Sequence, residues 1–190
     1  MPKDEQVQSD GAGKLIERRY WVEVQGSQRS IQELMADIQL NIADYAPGLL
    51  ADFEKSKGST GTLRPGDEFA IKILGPWNGD VRVTDVSDTH FELRTLEGHP
   101  EAGDIRFFIE PLEHFPDAFH FEIRSLARSR DGLVSFAYDT VGVGKKMQEQ
   151  TWVAFCERVA EQSGGEKIGD VQVRTLYEED LHPVVKAEAE

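Results

Sequence analysis

The sequence predicts an α+β fold in which a curved antiparallel sheet wraps around one long C-terminal helix. Apolar and polar residues alternate in short runs from Ile16 to Ser125, which is typical of half-buried strands. Tight turn signals separate most of these runs, as in an antiparallel meander. Apolar residues at three- and four-residue spacing then predict an amphipathic helix from about Gly144 to Ser163.

A strand and two shorter helices come first. Residues 15–25 alternate with period two and contain β-branched and aromatic residues, so they predict a strand. Ser30, with Glu33 three residues later, forms a capping box that begins a helix. After the break at residues 47–48, a second, shorter helix is expected to end near Gly58; its apolar residues are Leu49, Leu50 and Phe53.

The meander follows, and one of its faces is apolar while the other is charged. The Pro, Gly and Asn-Gly residues at 75–79 are typical of a hairpin connection. A sheet with one apolar face must bury it, and the long helix is the element of matching length. A twisted sheet that curls around such a helix can leave a cavity between them. This arrangement is a helix-grip fold.

We expect one folded domain at residues 14–163, preceded by a flexible lead-in at 1–13. An acidic arm at 164–190 follows, which could form one strand or lie against the domain, and which is a candidate surface for a protein partner. The single cysteine, Cys156, excludes a disulfide within one chain, and the polar N-terminal residues lack the apolar centre of a signal peptide. Both observations favour the cytoplasm.

The charge balance argues against two classes of partner. The chain has 21 Lys and Arg against 35 Asp and Glu, a net charge of −14. Affinity for nucleic acids and anionic lipids comes largely from basic residues, so we expect no nucleic-acid partner and no membrane partner, although a local basic patch could escape this average. Arg106 has outward strand parity, which predicts a mixed-charge surface ladder rather than an anion clamp in the cavity; the ladder would include Glu92, Arg94, Glu110, Glu122 and Arg124.

The segment from Thr95 to Phe107, TLEGHPEAGDIRF, resembles the signature of a family called domain of unknown function nineteen-ninety. That family belongs with the START-like, SRPBCC ligand-binding folds. Residues 65–67, residues 75–77 and Gln148 also match, and the similarity covers about residues 16–162. The resemblance implies a helix-grip fold with a cavity for an apolar or amphipathic small molecule. It implies no particular reaction.

His99 and Glu101 are the catalytic candidates. They lie between two predicted strands, and loops at the mouth of a cavity often carry functional groups. A carboxylate beside a histidine can fix its tautomer and raise its basicity, which suits proton transfer in a cyclase, dehydratase or hydrolase. The alternative is structural: Gly98, Pro100 and Gly103 build a turn in which His99 caps a carbonyl group.

Polar residues with inward parity are the candidates for orienting a ligand on the apolar wall: Arg18, Asp85, Thr95 and Ser125. A buried Arg18 needs a carboxylate partner, and Asp85 is the candidate for it. Three aromatic residues could line the cavity as well as fill the core: Tyr20, Phe107 and Trp152. Alternatively, the charged residues reach solvent near strand ends.

We expect no metal and no cofactor. Four histidines lie within residues 90–120, but none has a short metal-binding spacing and no cysteine assists. No motif for a serine or cysteine nucleophile is present. The leading hypothesis is therefore a binding module for an apolar or amphipathic small molecule, and the alternative is an enzyme that uses His99 and Glu101.

Overall fold

The computed structural model describes residues 3–46, 51–73, 78–130 and 143–181. In this part of the chain a nine-stranded antiparallel sheet has the order β2-β3-β4-β5-β6-β7-β1-β8, and β9 also pairs with β1. The strands are β1 (Ile16–Gln25), β2 (Ala51–Lys57), β3 (Glu68–Ile73), β4 (Gly79–Val86), β5 (His90–Thr95), β6 (Glu101–Pro111), β7 (Phe119–Ser129), β8 (Glu166–Lys167) and β9 (Gln172–Tyr177). The helices are a 3-10 turn at Gln8–Asp10, α1 (Ile31–Leu40), α2 (Ile42–Tyr45), α3 (Val143–Ser163) and α4 (Glu178–Leu181).

The first helix begins where the sequence predicts. The Ser30 hydroxyl accepts a hydrogen bond from the amide of Glu33 at 3.2 Å, and the Glu33 carboxylate accepts one from the amide of Ser30 at 2.8 Å. This reciprocal cap satisfies two amides that the first turn leaves without helical partners. The buried face of α1 then contributes Leu34, Met35 and Ile38 to the core.

The long helix α3 covers the apolar face of the sheet. Phe155 and Val159 of α3 are fully buried, and the Phe155 ring lies 5.4 Å from that of Phe107 on β6. Phe107 in turn stacks on Phe91 of β5 at 4.5 Å. The predicted α+β architecture, with an antiparallel sheet around a long C-terminal helix, is confirmed. In the described residues, no helix combines the length and the apolar character that a membrane span needs.

The second helix was predicted in the wrong place. The helix that follows α1 covers only Ile42–Tyr45, and residues 51–57 form strand β2, in which Phe53 lies opposite Ile71 of β3. Because β2 is an edge strand, most of its other residues are polar, and it lacks the period-two apolar pattern by which the inner strands are recognised. Leu49 and Leu50 lie outside the described residues.

Both ends of the described part of the chain contact the sheet. The lead-in that we expected to be flexible contacts the last residues of β5 and β7. The amide of Gln6 donates to the carbonyl of Thr95 at 2.8 Å, and the amide of Ala12 donates to the carbonyl of Ser129 at 2.9 Å. At the other end, β9 pairs with β1 along six residues, so the first part of the arm is a strand. Glu178 of α4 then accepts hydrogen bonds from Arg128 on β7.

Candidate functional site

A tight turn between β5 and β6 carries the two catalytic candidates; we call residues 96–101 the site loop. The amide of His99 donates to the carbonyl of Leu96 at 3.0 Å, and Gly98 has φ = 94°, as the third residue of a type II turn requires. The imidazole then lies directly over the first residue of β4. A Cβ atom at Gly79 would be 2.0 Å from His99 Cδ2, so only glycine leaves room for the ring.

The backbone of Glu101 holds the imidazole of His99. The Nδ1 atom lies 3.0 Å from both the amide nitrogen and the carbonyl oxygen of Glu101, so Nδ1 has a partner in either neutral tautomer. Burial lowers the pKa of His99 more than the nearby Glu101 carboxylate raises it, which keeps the ring neutral. Among the described residues, nothing bonds to His99 Nε2.

The Glu101 carboxylate binds Arg18 and Gln148 rather than the imidazole of His99. Its Oε1 accepts a hydrogen bond from Arg18 Nη1 at 2.8 Å, and its Oε2 accepts one from Gln148 Nε2 on α3 at 3.2 Å. The side chains of Arg18 and Glu101 are only 6% and 10% exposed. Burial raises the pKa of Glu101, but the charge of Arg18 and the hydrogen bonds from Arg18 and Gln148 outweigh burial and lower the pKa overall. The expected side-chain contact between His99 and Glu101 is therefore replaced by a backbone contact.

Gln6 from the N-terminal segment fixes the site loop from behind. Its Nε2 donates to the carbonyl oxygens of His99 at 3.1 Å and Glu101 at 2.9 Å. The Thr95 hydroxyl donates to the carbonyl of Gln6 at 2.9 Å and accepts from the amide of Gly103 at 3.0 Å. Sequence reasoning missed Gln6, because nothing local relates it to a loop more than 90 residues further along the chain.

A cavity of about 50 Å³ lies between the sheet and α3, beside the site loop. Its wall is mainly apolar, and it brings together five of the predicted site residues: Thr95, His99, Glu101, Ser125 and Trp152. It also includes Gln148, which the sequence singled out only as part of the family resemblance. Arg18 reaches this cluster through its ion pair with Glu101.

Three atoms of the wall lack hydrogen-bond partners within the described part of the chain. They are His99 Nε2, Ser125 Oγ and the buried Gln148 Oε1. The Glu101 carboxylate can only accept hydrogen bonds, so Gln148 must direct its amide nitrogen toward Glu101. The amide oxygen of Gln148 is thereby left as a buried acceptor.

The remaining ligand-binding candidates lie elsewhere. Tyr20 and Phe107 are 2% and 0% exposed within the core, and neither lines the cavity. The interpretation of Asp85 was wrong: its side chain is 60% exposed and contacts His90 Nε2 at 2.8 Å. A register shift between Val83 and Asp85 turns Asp85 outward, so the carboxylate that faces Arg18 is that of Glu101 instead.

Among the described residues, no group of three or more His, Cys, Asp or Glu side chains could hold a metal ion. The side chains of the site supply four kinds of polar group. These are a neutral imidazole, a hydroxyl group, an amide oxygen and a carboxylate paired with a guanidinium group.

Comparison with known proteins gives a family and a fold. A family model described as "Domain of unknown function (DUF1990)" matches residues 47–165. No curated protein matches the chain. Among solved structures, a hypothetical protein from Helicobacter pylori (jhp0584) is similar with a TM-score of 0.55 and 10% identity, over 76% of this chain and 86% of that one. Norcoclaurine synthase from Thalictrum flavum, in complex with dopamine and hydroxybenzaldehyde, has a TM-score of 0.50 and 15% identity, over 81% of this chain and 90% of that one. At such identities the likeness shows the fold alone, and that fold is the helix-grip.

Proposed function

This chain belongs to the DUF1990 family, and we propose that it binds an apolar or amphipathic small molecule in the cavity between its sheet and α3. Protein cavities that bind small molecules are largely apolar, with a few polar groups that set the orientation of the ligand. The wall described above has this composition. The polar groups gather at its site-loop end.

The observation that carries the proposal is the set of three cavity atoms without partners, His99 Nε2, Ser125 Oγ and Gln148 Oε1. Of the three atoms, Gln148 Oε1 is fully buried, and a buried polar atom that loses water without gaining a partner costs about 1–3 kcal/mol. A ligand that supplies the missing hydrogen bonds removes that cost. Because Gln148 Oε1 can only accept, we infer that the ligand carries a hydroxyl, amine or amide N–H group at this end.

The buried ion pair supports a binding role more than a stabilising one. Bringing Arg18 and Glu101 out of water is costly, and a buried pair is weak support for stability. What the pair does locally is hold the Gln148 amide, through Glu101, with its oxygen free to accept. We interpret the pair as the support of the polar end of the cavity.

The size of the cavity restricts how a ligand enters. A volume of about 50 Å³ holds a few water molecules or one polar group, whereas cavities for drug-sized ligands measure roughly 300–1,000 Å³. A larger molecule must shift a side chain of the wall, and Trp152 is the largest one available. The Thalictrum synthase is described with dopamine and hydroxybenzaldehyde, small aromatic molecules that carry hydroxyl groups, so a protein of this fold accepts ligands of that size.

Native mass spectrometry of gently purified protein, followed by binding of the neutral dye Nile red, tests the proposal. We expect either a copurified small molecule or saturable dye binding. Gln148→Leu should reduce occupancy by a ligand with a hydrogen-bond donor, and Gln150→Leu, an exposed position two residues further along α3, is the matched control. If neither ligand nor dye binds, or if both variants behave alike, the cavity is not a binding site.

A second candidate function is proton transfer by His99. The neutral ring, with Nδ1 held by backbone and Nε2 in the cavity wall, is suited to take a proton from a bound molecule. If mass spectrometry identifies a copurified ligand, His99→Gln should weaken its binding by the loss of one hydrogen bond and abolish any conversion of the ligand that still binds. A variant that still converts the ligand would exclude this function. The cytoplasmic location that the single cysteine favours stays a prediction.

A further inference from the structure

Four arginines lie side by side across the outer face of the sheet, the face opposite the cavity. Direct cross-strand neighbours are Arg174 and Arg19, then Arg19 and Arg124, then Arg124 and Arg106. Like charges directly opposite each other in a sheet are destabilising. Only beyond Arg106 does an acidic neighbour, Glu92, follow in this row. In a chain with a net charge of −14, such a row is unexpected.

Three of these arginines line a surface hollow of about 440 Å³, together with Phe108, Glu110, His120 and Glu122. Glu122 is only 1% exposed at its base, and it accepts two hydrogen bonds from Arg19, at 2.6 and 2.8 Å, and one from Arg124 Nε at 3.0 Å. His120 Nε2 lies 3.0 Å from the same carboxylate. Burial raises the pKa of Glu122, but the hydrogen bonds from His120, Arg19 and Arg124 outweigh it and lower the pKa to about 2.

Aromatic rings support the same guanidinium groups. Arg19 lies over Trp21 and Arg124 over Phe108, each at 5.6 Å from the ring centre. Two arginines of the hollow are thus held in place by a carboxylate and by ring contacts. They are oriented before any ligand arrives, which reduces the entropy lost on binding.

These arginines still have donors to offer. Within the described part of the chain, Arg19 Nη1, both Nη atoms of Arg124 and the whole guanidinium of Arg106 make no hydrogen bond or ion pair. Three separate guanidinium groups on adjacent strands suit a tetrahedral anion with three terminal oxygens better than a planar carboxylate, which one arginine can satisfy.

We propose that this outer hollow binds the phosphate monoester group of a small molecule. A phosphate monoester presents three acceptor oxygens and nearly two negative charges near neutral pH. It would lie across β1, β7 and β6, and it would contact the donors of Arg19, Arg124 and Arg106. The hollow is on the opposite face from the cavity, so this site does not depend on the proposed function.

Calorimetric titration with methyl phosphate at low ionic strength tests the site, with acetate as the comparison anion. We expect saturable binding of methyl phosphate and about tenfold weaker binding by Arg106→Gln, since one charge-assisted contact is lost. The control is Arg158→Gln on α3, which changes net charge equally at an exposed position away from the hollow. Absence of saturable binding, equal weakening by both variants, or acetate binding as tight as methyl phosphate binding would each overturn the proposal.

Discussion

Replacing the buried ion pair Arg18–Glu101 by apolar residues should separate its role in binding from its role in folding. Arg18 Nη1 lies 2.8 Å from Glu101 Oε1, and the two side chains are 6% and 10% exposed, so each charge compensates the other where little water can reach them. Removing one member of such a pair costs about 3–5 kcal/mol, because the other charge stays buried without compensation. We therefore expect Arg18→Met and Glu101→Leu each to lower the free energy of unfolding by about that amount.

The double variant should be much closer to the wild type. Replacing a buried pair by apolar residues of similar size is neutral or stabilising in several proteins, since neither charge needs to lose water. Against this, Gln148 Nε2 loses its acceptor, which costs about 1–3 kcal/mol. We expect the double variant within about 2 kcal/mol of the wild type and a coupling energy of roughly 4 kcal/mol or more.

Urea unfolding followed by tryptophan fluorescence measures these free energies, and the slope against urea checks that all variants unfold from a comparable state. If a single variant is too unstable to purify, Glu101→Gln retains a hydrogen-bond acceptor and provides the milder perturbation. The same proteins are then tested for binding of the copurified ligand, which we expect the double variant to have lost.

Two results would refute this reasoning. If the single effects sum to the double effect within about 0.5 kcal/mol, the two residues are not coupled and the ion pair does not form. If the double variant is stable and still binds its ligand as the wild type does, the pair has no part in holding the polar end of the cavity.

Three further predictions concern the surroundings of the two sites. Gly79→Ala should displace the His99 ring, whose Cδ2 would lie 2.0 Å from the new methyl group, and raise the pKa of His99 toward its ordinary value; an NMR titration that shows the wild-type pKa would contradict this. Gln6→Ala should lower the free energy of unfolding by about 1–3 kcal/mol and weaken ligand binding, because two carbonyl groups of the site loop lose their donor. The control Gln8→Ala removes no such contact, so neither urea unfolding nor ligand binding should change. Glu122 has a pKa of about 2 in the folded protein against an ordinary 4.5, so its contribution to stability is complete above about pH 4.5 and is lost as pH falls toward 2. In Glu122→Gln the free energy of unfolding should therefore depend less on pH between 4.5 and 2. An unchanged pH dependence would show that Glu122 is not held as described.

The sequence was sufficient for the inner strands and the long helix because their side chains alternate between a buried and a solvated face. Edge strand β2 was not predicted, because Phe53 is its only clearly apolar, buried residue and one residue does not make an alternating pattern. Asp85 was misplaced because a register shift reverses parity, and no residue type marks that shift. Glu101 could have been recognised as an inward residue, since it shares the parity of Ile105 and Phe107 when β6 is extended toward the site loop.

The site itself was only partly predictable, because its contacts join distant parts of the chain. The turn that carries His99 and Glu101 singled them out, but the two side chains do not form the expected pair. The Glu101 carboxylate binds Arg18, and the Glu101 backbone binds the imidazole of His99. Gly79 was interpreted as a turn residue, whereas in the structure a side chain at this position would overlap the His99 ring of the site loop. Such requirements are set by tertiary packing and leave no local pattern.

The two buried carboxylates also specify the register of β1. Arg18 pairs with Glu101 on the cavity face, and Arg19, its neighbour in sequence, pairs with Glu122 on the outer face. A slip of β1 by one residue would exchange these faces, because successive side chains of a strand point to opposite sides. In one direction the slip would put Arg18 beside Glu122, but it would move Arg19 to the buried place of Tyr20 and leave Glu101 without an arginine. In the other direction it would put Arg19 beside Glu101, but it would take Arg19 away from the buried Glu122 carboxylate. A buried charge that loses its partner costs several kcal/mol. We therefore infer that the two pairs contribute more to excluding the slipped registers of β1 than to the stability of the native sheet.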